Sequence, residues 1–107
     1  MKHDTNHERL DAYRLSVVVA RWVATLVFPT ERKHLRSQLL RASDSVCLNI
    51  AEAMGRSGND RRHHLRIAKG SAAEACAVLD LIELSEGPEH QELLRRVGAM
   101  LGALCRR

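Results

Sequence analysis

The residues best able to do chemistry lie in two short blocks in the middle of the chain. In the first, Gln38-Leu39-Leu40-Arg41-Ala42-Ser43-Asp44-Ser45 leads on to Asn49-Ile50-Ala51-Glu52-Ala53-Met54-Gly55-Arg56. In the second, Ile67-Ala68-Lys69-Gly70-Ser71 is followed by Glu74. Ser45, Asn49 and Glu52 are spaced four and three apart, and Ser71 and Glu74 three apart, so each set shares one helical face. Hydroxyl, amide and carboxylate groups placed this way serve one of two ends. They form a hydrogen-bonded polar layer that fixes helix register, because buried polar groups must find partners. Otherwise they line a small-ligand site between helices. The polar layer is the preferred reading. Catalysis finds little support: neither Ser45 nor Ser71 has a histidine spaced to act as a general base beside it. No glycine-rich phosphate loop of Walker or Rossmann type occurs.

Metal and redox chemistry are poorly supported. His3 and His7 are spaced to chelate on a helix, but they lie near a terminus without further ligands. His63 and His64 are adjacent and point about 100° apart, so they do not share one metal simply. Cys47, Cys76 and Cys105 show no CxxC or CxxH spacing, and three thiols cannot pair completely. The expectation is no metal, no cofactor, and reduced, packed thiols in a cytoplasmic protein. The N-terminal MKHDTNHERL is polar and contains no signal core. The longest apolar run, Leu15 to Phe28, includes Arg21 and is too short to span a bilayer.

The elements that must position these residues are helices. The chain has 107 residues, 45% of them hydrophobic, which suits one domain over residues 1–107 and excludes disorder. Six glycines and two prolines are too few for a turn-rich β-sandwich or barrel. Three punctuation marks divide the chain: Phe28-Pro29-Thr30-Glu31, Gly55-Arg56-Ser57-Gly58-Asn59-Asp60, and Glu86-Gly87-Pro88. Pro29 stops one helix and Thr30 is placed to cap the next; Asn59 or Asp60 is placed to cap the third. These marks predict helices over 6–28, 31–54, 59–86 and 88–105.

Each segment carries an apolar stripe at helical spacing. The first is Leu10, Tyr13, Val17, Ala20, Ala24 and Val27, and the second is Leu35, Leu39, Ala42, Val46, Asn49 and Ala53. The third is Leu65, Ala68, Ala72, Ala75, Leu79 and Ile82, and the fourth Leu93, Val97, Met100 and Leu104. Such seams face a common core, and short connections make sequence neighbours antiparallel. The fold class is therefore an all-α, antiparallel up-down-up-down four-helix bundle. Gly70 and its small neighbours allow close helix contact. Further apolar residues lie off the seams, among them Leu15, Val18, Val19, Trp22, Val23 and Leu26 in the first segment and Ile67, Val78, Leu81 and Leu84 in the third. That surplus points to a subunit interface.

The two motif blocks resemble the four-helix bundle family of proteins encoded in 23S ribosomal RNA intervening sequences. Gln38, Arg41, Ala42, Ser45, Asn49, Ile50, Ala51 and Glu52 match its first motif. Gly55, Arg56, Ile67, Ala68, Gly70, Ser71 and Glu74 match its continuation, and Leu10, Phe28-Pro29 and Glu31 fit its first helix and exit. The resemblance covers roughly residues 8 to 104. Ala53 stands where the family usually has glycine, and Leu40 where it usually has the first arginine of a pair. The resemblance implies a ring-shaped homo-oligomer, a homopentamer, and no established activity. Related proteins include the accessory variability proteins of diversity-generating retroelements, basic bundles that bind RNA and a reverse transcriptase. By similarity, the leading expectation is a non-enzymatic RNA- or ribonucleoprotein-binding bundle. The alternative is a scaffold that recruits a partner protein such as a reverse transcriptase; a small-ligand binder or enzyme comes last.

Charge refines where RNA would bind. Seventeen Lys and Arg against thirteen Asp and Glu give a formal net charge of +4. In an up-down-up-down bundle one pole collects Arg56, Arg61, Arg62, Arg66, Arg106, Arg107, His63 and His64. The other holds Arg32, Lys33 and Arg36 together with Glu31, Glu83, Glu86, Glu89 and Glu92. Arginines at a helix C-terminus complement the dipole, which accounts for Arg56, Arg106 and Arg107. Arg61 and Arg62 open a helix, where the dipole opposes cations. The expected phosphate contacts are Arg61, Arg62 and Arg66, with help from Arg56.

Overall fold

The computed structural model describes the backbone of residues 5–106 and the side chains of residues 7–106. Four α-helices, α1 (Thr5–Ala24), α2 (Lys33–Met54), α3 (Gly58–Leu81) and α4 (Gly87–Cys105), account for most of it, with a 3-10 turn at Thr30–Arg32 before α2. No strand occurs among the described residues. Helix α1 packs on α2 and α4, and α3 packs on the same two, with no contact across either diagonal among the described residues. The body measures 50 × 22 × 18 Å, about the length of a bundle with helices of 19–24 residues at 1.5 Å rise plus their turns.

The core is aliphatic. Val19 and Val23 of α1, Leu39, Val46 and Ile50 of α2, Leu65, Ala68 and Ala75 of α3, and Leu94, Val97 and Leu101 of α4 share one core, all essentially sealed from solvent. The alanines on α3 let its partners approach, so the bundle is narrow. Cross-helix bonds show how the helices align. Ser71 of α3 reaches Ser45 of α2, while His64, a turn or two earlier on α3, reaches Asn49, one turn later on α2. Numbers thus rise on α2 as they fall on α3. At the α1–α4 side, the Trp22 ring near the end of α1 stacks flat on His90 in the first turn of α4, with centroids 4.0 Å apart.

Several helix ends differ from the sequence expectation, each for a local reason. Helix α1 stops at Ala24 rather than 28. Thr25 Oγ1 donates to the Trp22 carbonyl at 2.7 Å, and Arg36 Nε donates to the Leu26 carbonyl at 2.9 Å, so these acceptors are satisfied outside the helix. Phe28, just before Pro29, turns into the core and is buried. Thr30 does not cap α2; it opens the 3-10 turn, and Arg32 precedes α2 without a side-chain cap. Helix α3 begins at Gly58 and ends at Leu81, not at 59 and 86, and Ser57 rather than Asn59 or Asp60 stands at its N-cap. Ile82 is already extended, at φ −141°, and the Leu81 carbonyl accepts a hydrogen bond from Arg32 Nη2 at 2.6 Å. Gly87 is the first residue of α4.

The seam of α1 lies on a different face from the one its spacing indicates. The buried residues are Arg9, Ala12, Ser16, Val19 and Val23, whereas Ala24 is exposed and Val27 is 88% exposed. From Leu15 to Phe28 the chain is apolar almost all round, so periodicity cannot single out one side. The seams of α2 and α3 lie largely as their spacing indicates; Ile50 joins the first and Val78 the second, while Ile82, beyond the end of α3, is only partly buried. On α4 the buried set includes Gln91, Leu94, Val97, Leu101, Gly102 and Leu104.

Candidate nucleic-acid interface and its polar layer

Spacing predicts five residues in the polar layer; three of them meet, and a histidine joins them. Asn49 Nδ2 donates to the Ser45 carbonyl at 3.0 Å and to Ser45 Oγ at 3.1 Å. Ser71 Oγ donates to Ser45 Oγ at 2.8 Å. Asn49 Oδ1 lies 3.1 Å from His64 Nδ1. Since the Asn49 oxygen only accepts, the His64 proton is placed on Nδ1. All four side chains are partly buried between α2 and α3. Glu74 does not join; it is exposed. Glu52 lies further out, bound to Arg56 through Nε at 3.1 Å. Gly70 is exposed, with open space where a Cβ would stand, so it is not a point of close helix approach.

The layer continues outward as a chain of charges. His64 Nε2 lies 3.9 Å from Asp60 Oδ1, and Asp60 Oδ2 accepts from Arg56 Nη1 at 2.8 Å. Glu52 first, and Asp60 second, hold the Arg56 guanidinium in its charged form. Arg56, the expected helper in phosphate binding, is thus already engaged by two carboxylates. Arg62 donates to Asn59 Oδ1, a neutral partner that leaves its charge uncompensated. Arg66 is exposed, and Arg61 is partly buried with its Nε shielded from water and unbonded. None of Arg61, Arg62 and Arg66 has an ion pair among the described residues.

Two features carry little or no sequence signal. Gln91, buried on α4, donates from Nε2 to the Cys76 carbonyl at 2.9 Å and to Asp80 Oδ1 at 2.7 Å, a second polar tie, between α3 and α4. A lone glutamine off the apolar stripe gives no hint of this. Lys69 stands seven residues after Arg62 and three after Arg66, so spacing alone puts the three on one face of α3; the motif around Lys69 draws attention to its small neighbours instead. At the opposite pole, Arg32 is spent on the last carbonyl of α3 and Arg36 on a loop carbonyl. His3 and Arg107 lie outside the described residues. Among those described, no group of three His, Cys, Asp or Glu is placed to hold a metal, and no helix is long and apolar enough to cross a membrane. Burial pushes the Cys47 and Cys76 thiols up from their ordinary range, and in both the desolvation of the thiolate is the largest cause.

An all-α protein with four helices, a serine–asparagine–histidine layer between two of them and a basic end is what these observations define. A profile describing 23S rRNA-intervening sequence proteins matches residues 8–102. The chain belongs to that family. Its fold is similar to the crystal structure of a protein with unknown function from the S23 ribosomal protein family of Bacteroides thetaiotaomicron VPI-5482, with a TM-score of 0.75. The two are 21% identical, and the alignment covers 96% of this chain and 98% of that one. A comparison with the curated proteins finds no match.

Proposed function

We propose that this chain is a single-domain, antiparallel up-down-up-down bundle that works in the cytoplasm as a non-catalytic RNA- or ribonucleoprotein-binding subunit of a homo-oligomeric ring. The opposed order of the Ser45–Ser71 and Asn49–His64 pairs supports the antiparallel arrangement. The observation that carries the RNA reading is the set Arg61, Arg62 and Arg66, three cations in the first turns of α3 with no carboxylate partner among the described residues. The dipole opposes Arg61 and Arg62 at that end of a helix, so a role in complementing it does not explain them. A phosphate backbone there is met by guanidinium forks as well as free backbone N–H groups. Arg56 braces the loop from Glu52 and Asp60 rather than facing phosphate. A ring of five rests on family resemblance alone.

The test is binding of single-stranded RNA by wild type and by Arg61→Glu/Arg62→Glu over a salt series, with oligomer mass followed in parallel. Each phosphate contact steepens the log–log salt slope by roughly 0.7. The variant is expected to remain assembled, bind more weakly and show a shallower slope. An assembled variant with unchanged affinity and slope removes this pole as the RNA site. If wild type binds no RNA even at low salt, the second reading leads: a ring that recruits a partner protein, for which the exposed Leu81 side chain speaks.

A further inference from the structure

We infer that the notch over Gly102, between the middle of α3 and the end of α4, is a phosphate-binding site built by Lys69 and Arg106. Gly102 is buried, and because it carries no Cβ the side chains of Lys69 and Arg106 close over it from two helices. A Cβ placed there would lie 3.5 Å from Arg106 Nη1, 3.5 Å from Lys69 Cε and 3.7 Å from Lys69 Nζ. Two cationic groups from different helices therefore flank one point. Neither has an ion pair among the described residues. Like charges drawn together repel unless an anion sits between them, and a phosphate presents enough oxygens to accept from both.

The bland explanation covers only half of the pair. Arg106 at the end of α4 complements the helix dipole. Lys69 is mid-helix on α3, where no helix end accounts for it. The carbonyl end of α4 disfavours an anion, which is why one cation would not suffice and two converge. The notch also has continuity on both sides. Arg62, Arg66 and Lys69, spaced four and three apart, run along one face of α3 toward it. On the other side opens a groove of about 370 Å³ between α3 and α4, with Lys69 and the small residues Ala72, Ala73 and Gly98 along it and Arg95, Gln91 and the Asp80 carboxylate also in its lining. The ligand class is a nucleotide phosphate, with its sugar or base lying along that groove. The source is either an RNA strand tracking from Arg62 or a free mononucleotide. This deepens the RNA-binding reading where the phosphate belongs to RNA, and stands apart from it where the nucleotide is free.

The experiment titrates inorganic phosphate and adenosine 5′-monophosphate into wild type, Lys69→Gln, Arg106→Gln and Arg96→Gln, followed by calorimetry and by phosphorus NMR. Arg96 is exposed on α4 beside α1, away from the notch. Circular dichroism checks that each variant is folded. The same proteins are then tested with single-stranded RNA over a salt series. Wild type is expected to bind both small anions. Lys69→Gln and Arg106→Gln should each weaken this about tenfold, the effect of losing one charge-assisted hydrogen bond, with Arg96→Gln unchanged. If RNA is the source, the salt slope falls by about 0.7 in each notch variant. If wild type binds the nucleotide through the notch but binds no RNA, the notch stands as a free-nucleotide site and the RNA reading falls. If wild type binds RNA but neither small anion, and the notch variants keep its slope, the notch is overturned and the RNA reading survives. Equal losses in Arg96→Gln, or no binding of anything, also overturn the notch.

Discussion

Asn49 shows how one polar side chain sets a register. Its amide nitrogen is used twice on Ser45 and its oxygen faces His64, so α2 and α3 can slide past one another only by breaking the Asn49–His64 and Ser45–Ser71 bonds. Asn49→Leu removes the first and leaves His64 Nδ1 without its acceptor. The expected loss is about 1–3 kcal/mol, the cost of a partly buried polar group left without its partner, read from urea unfolding, with RNA affinity little changed in the molecules that remain assembled. Unchanged melting and assembly with RNA binding abolished would show the layer to be a ligand site instead. The thiols make a separate prediction. Desolvation raises Cys47 and Cys76, so the folded state keeps their protons longer than the unfolded chain does. Their contribution is intact below the unfolded thiol range, about pH 8.5, and is lost as pH rises through and beyond it. Urea midpoints should therefore fall as pH rises above about 8.5 in wild type, and fall less in Cys47→Ala/Cys76→Ala when each protein is compared with itself at pH 7.

At the scale of the elements, two glycines on α3 separate backbone demand from packing. Gly58 opens the helix at φ +59°, a conformation that side chains with a Cβ rarely adopt. Gly70 sits mid-helix, exposed, with nothing within 4 Å of where a methyl group would stand. Gly58→Ala should destabilise by about 1 kcal/mol, while Gly70→Ala should stabilise by roughly 0.5–1 kcal/mol through helix propensity; thermal melts of the two side by side give opposite signs. Local pattern and distant partner divide the legible from the hidden in the same way. The stripes on α2 and α3 are legible in the sequence because polar residues on the far side, such as Arg41, Asp44, Arg66 and Lys69, frame them. The stripe on α1 is not, since Val17, Val18 and Val19 in succession offer every side an apolar residue. Helix ends set by distant partners are equally hidden: Arg32 reaches the Leu81 carbonyl across 49 positions of sequence. In the polar layer, Ser45, Asn49 and Ser71 announce themselves by spacing, but His64 does so only once α3 has a register against α2.

For the molecule as a whole, the oligomer proposed above is expected to form through the outer surface of the α2–α3 pair. The core of this narrow bundle is filled, yet Leu48 remains 68% exposed and Ile67 38% exposed. The Ser45–Ser71 and Asn49–His64 bonds set the level of each helix against the other. By that alignment Leu48 and Ile67 stand at one height, outside the polar layer, on the two sides of the same seam. Scattered exposed apolar residues are ordinary, but a leucine and an isoleucine so placed cover a seam that is polar beneath, and shielding it from water strengthens those hydrogen bonds. Burying both side chains in an interface contributes on the order of 1.5–3 kcal/mol each before the cost of association. Wild type is therefore expected to scatter light as an oligomer at micromolar concentration, a multiple of the 12.0 kDa chain. Leu48→Glu/Ile67→Glu introduces two desolvated charges on that face and should yield a folded 12.0 kDa monomer with undiminished helix content. A wild-type mass of 12.0 kDa would end the oligomer reading, and an oligomer that survives the double substitution would move the interface elsewhere, to the faces of α1 and α3 that carry Val18 and Leu81.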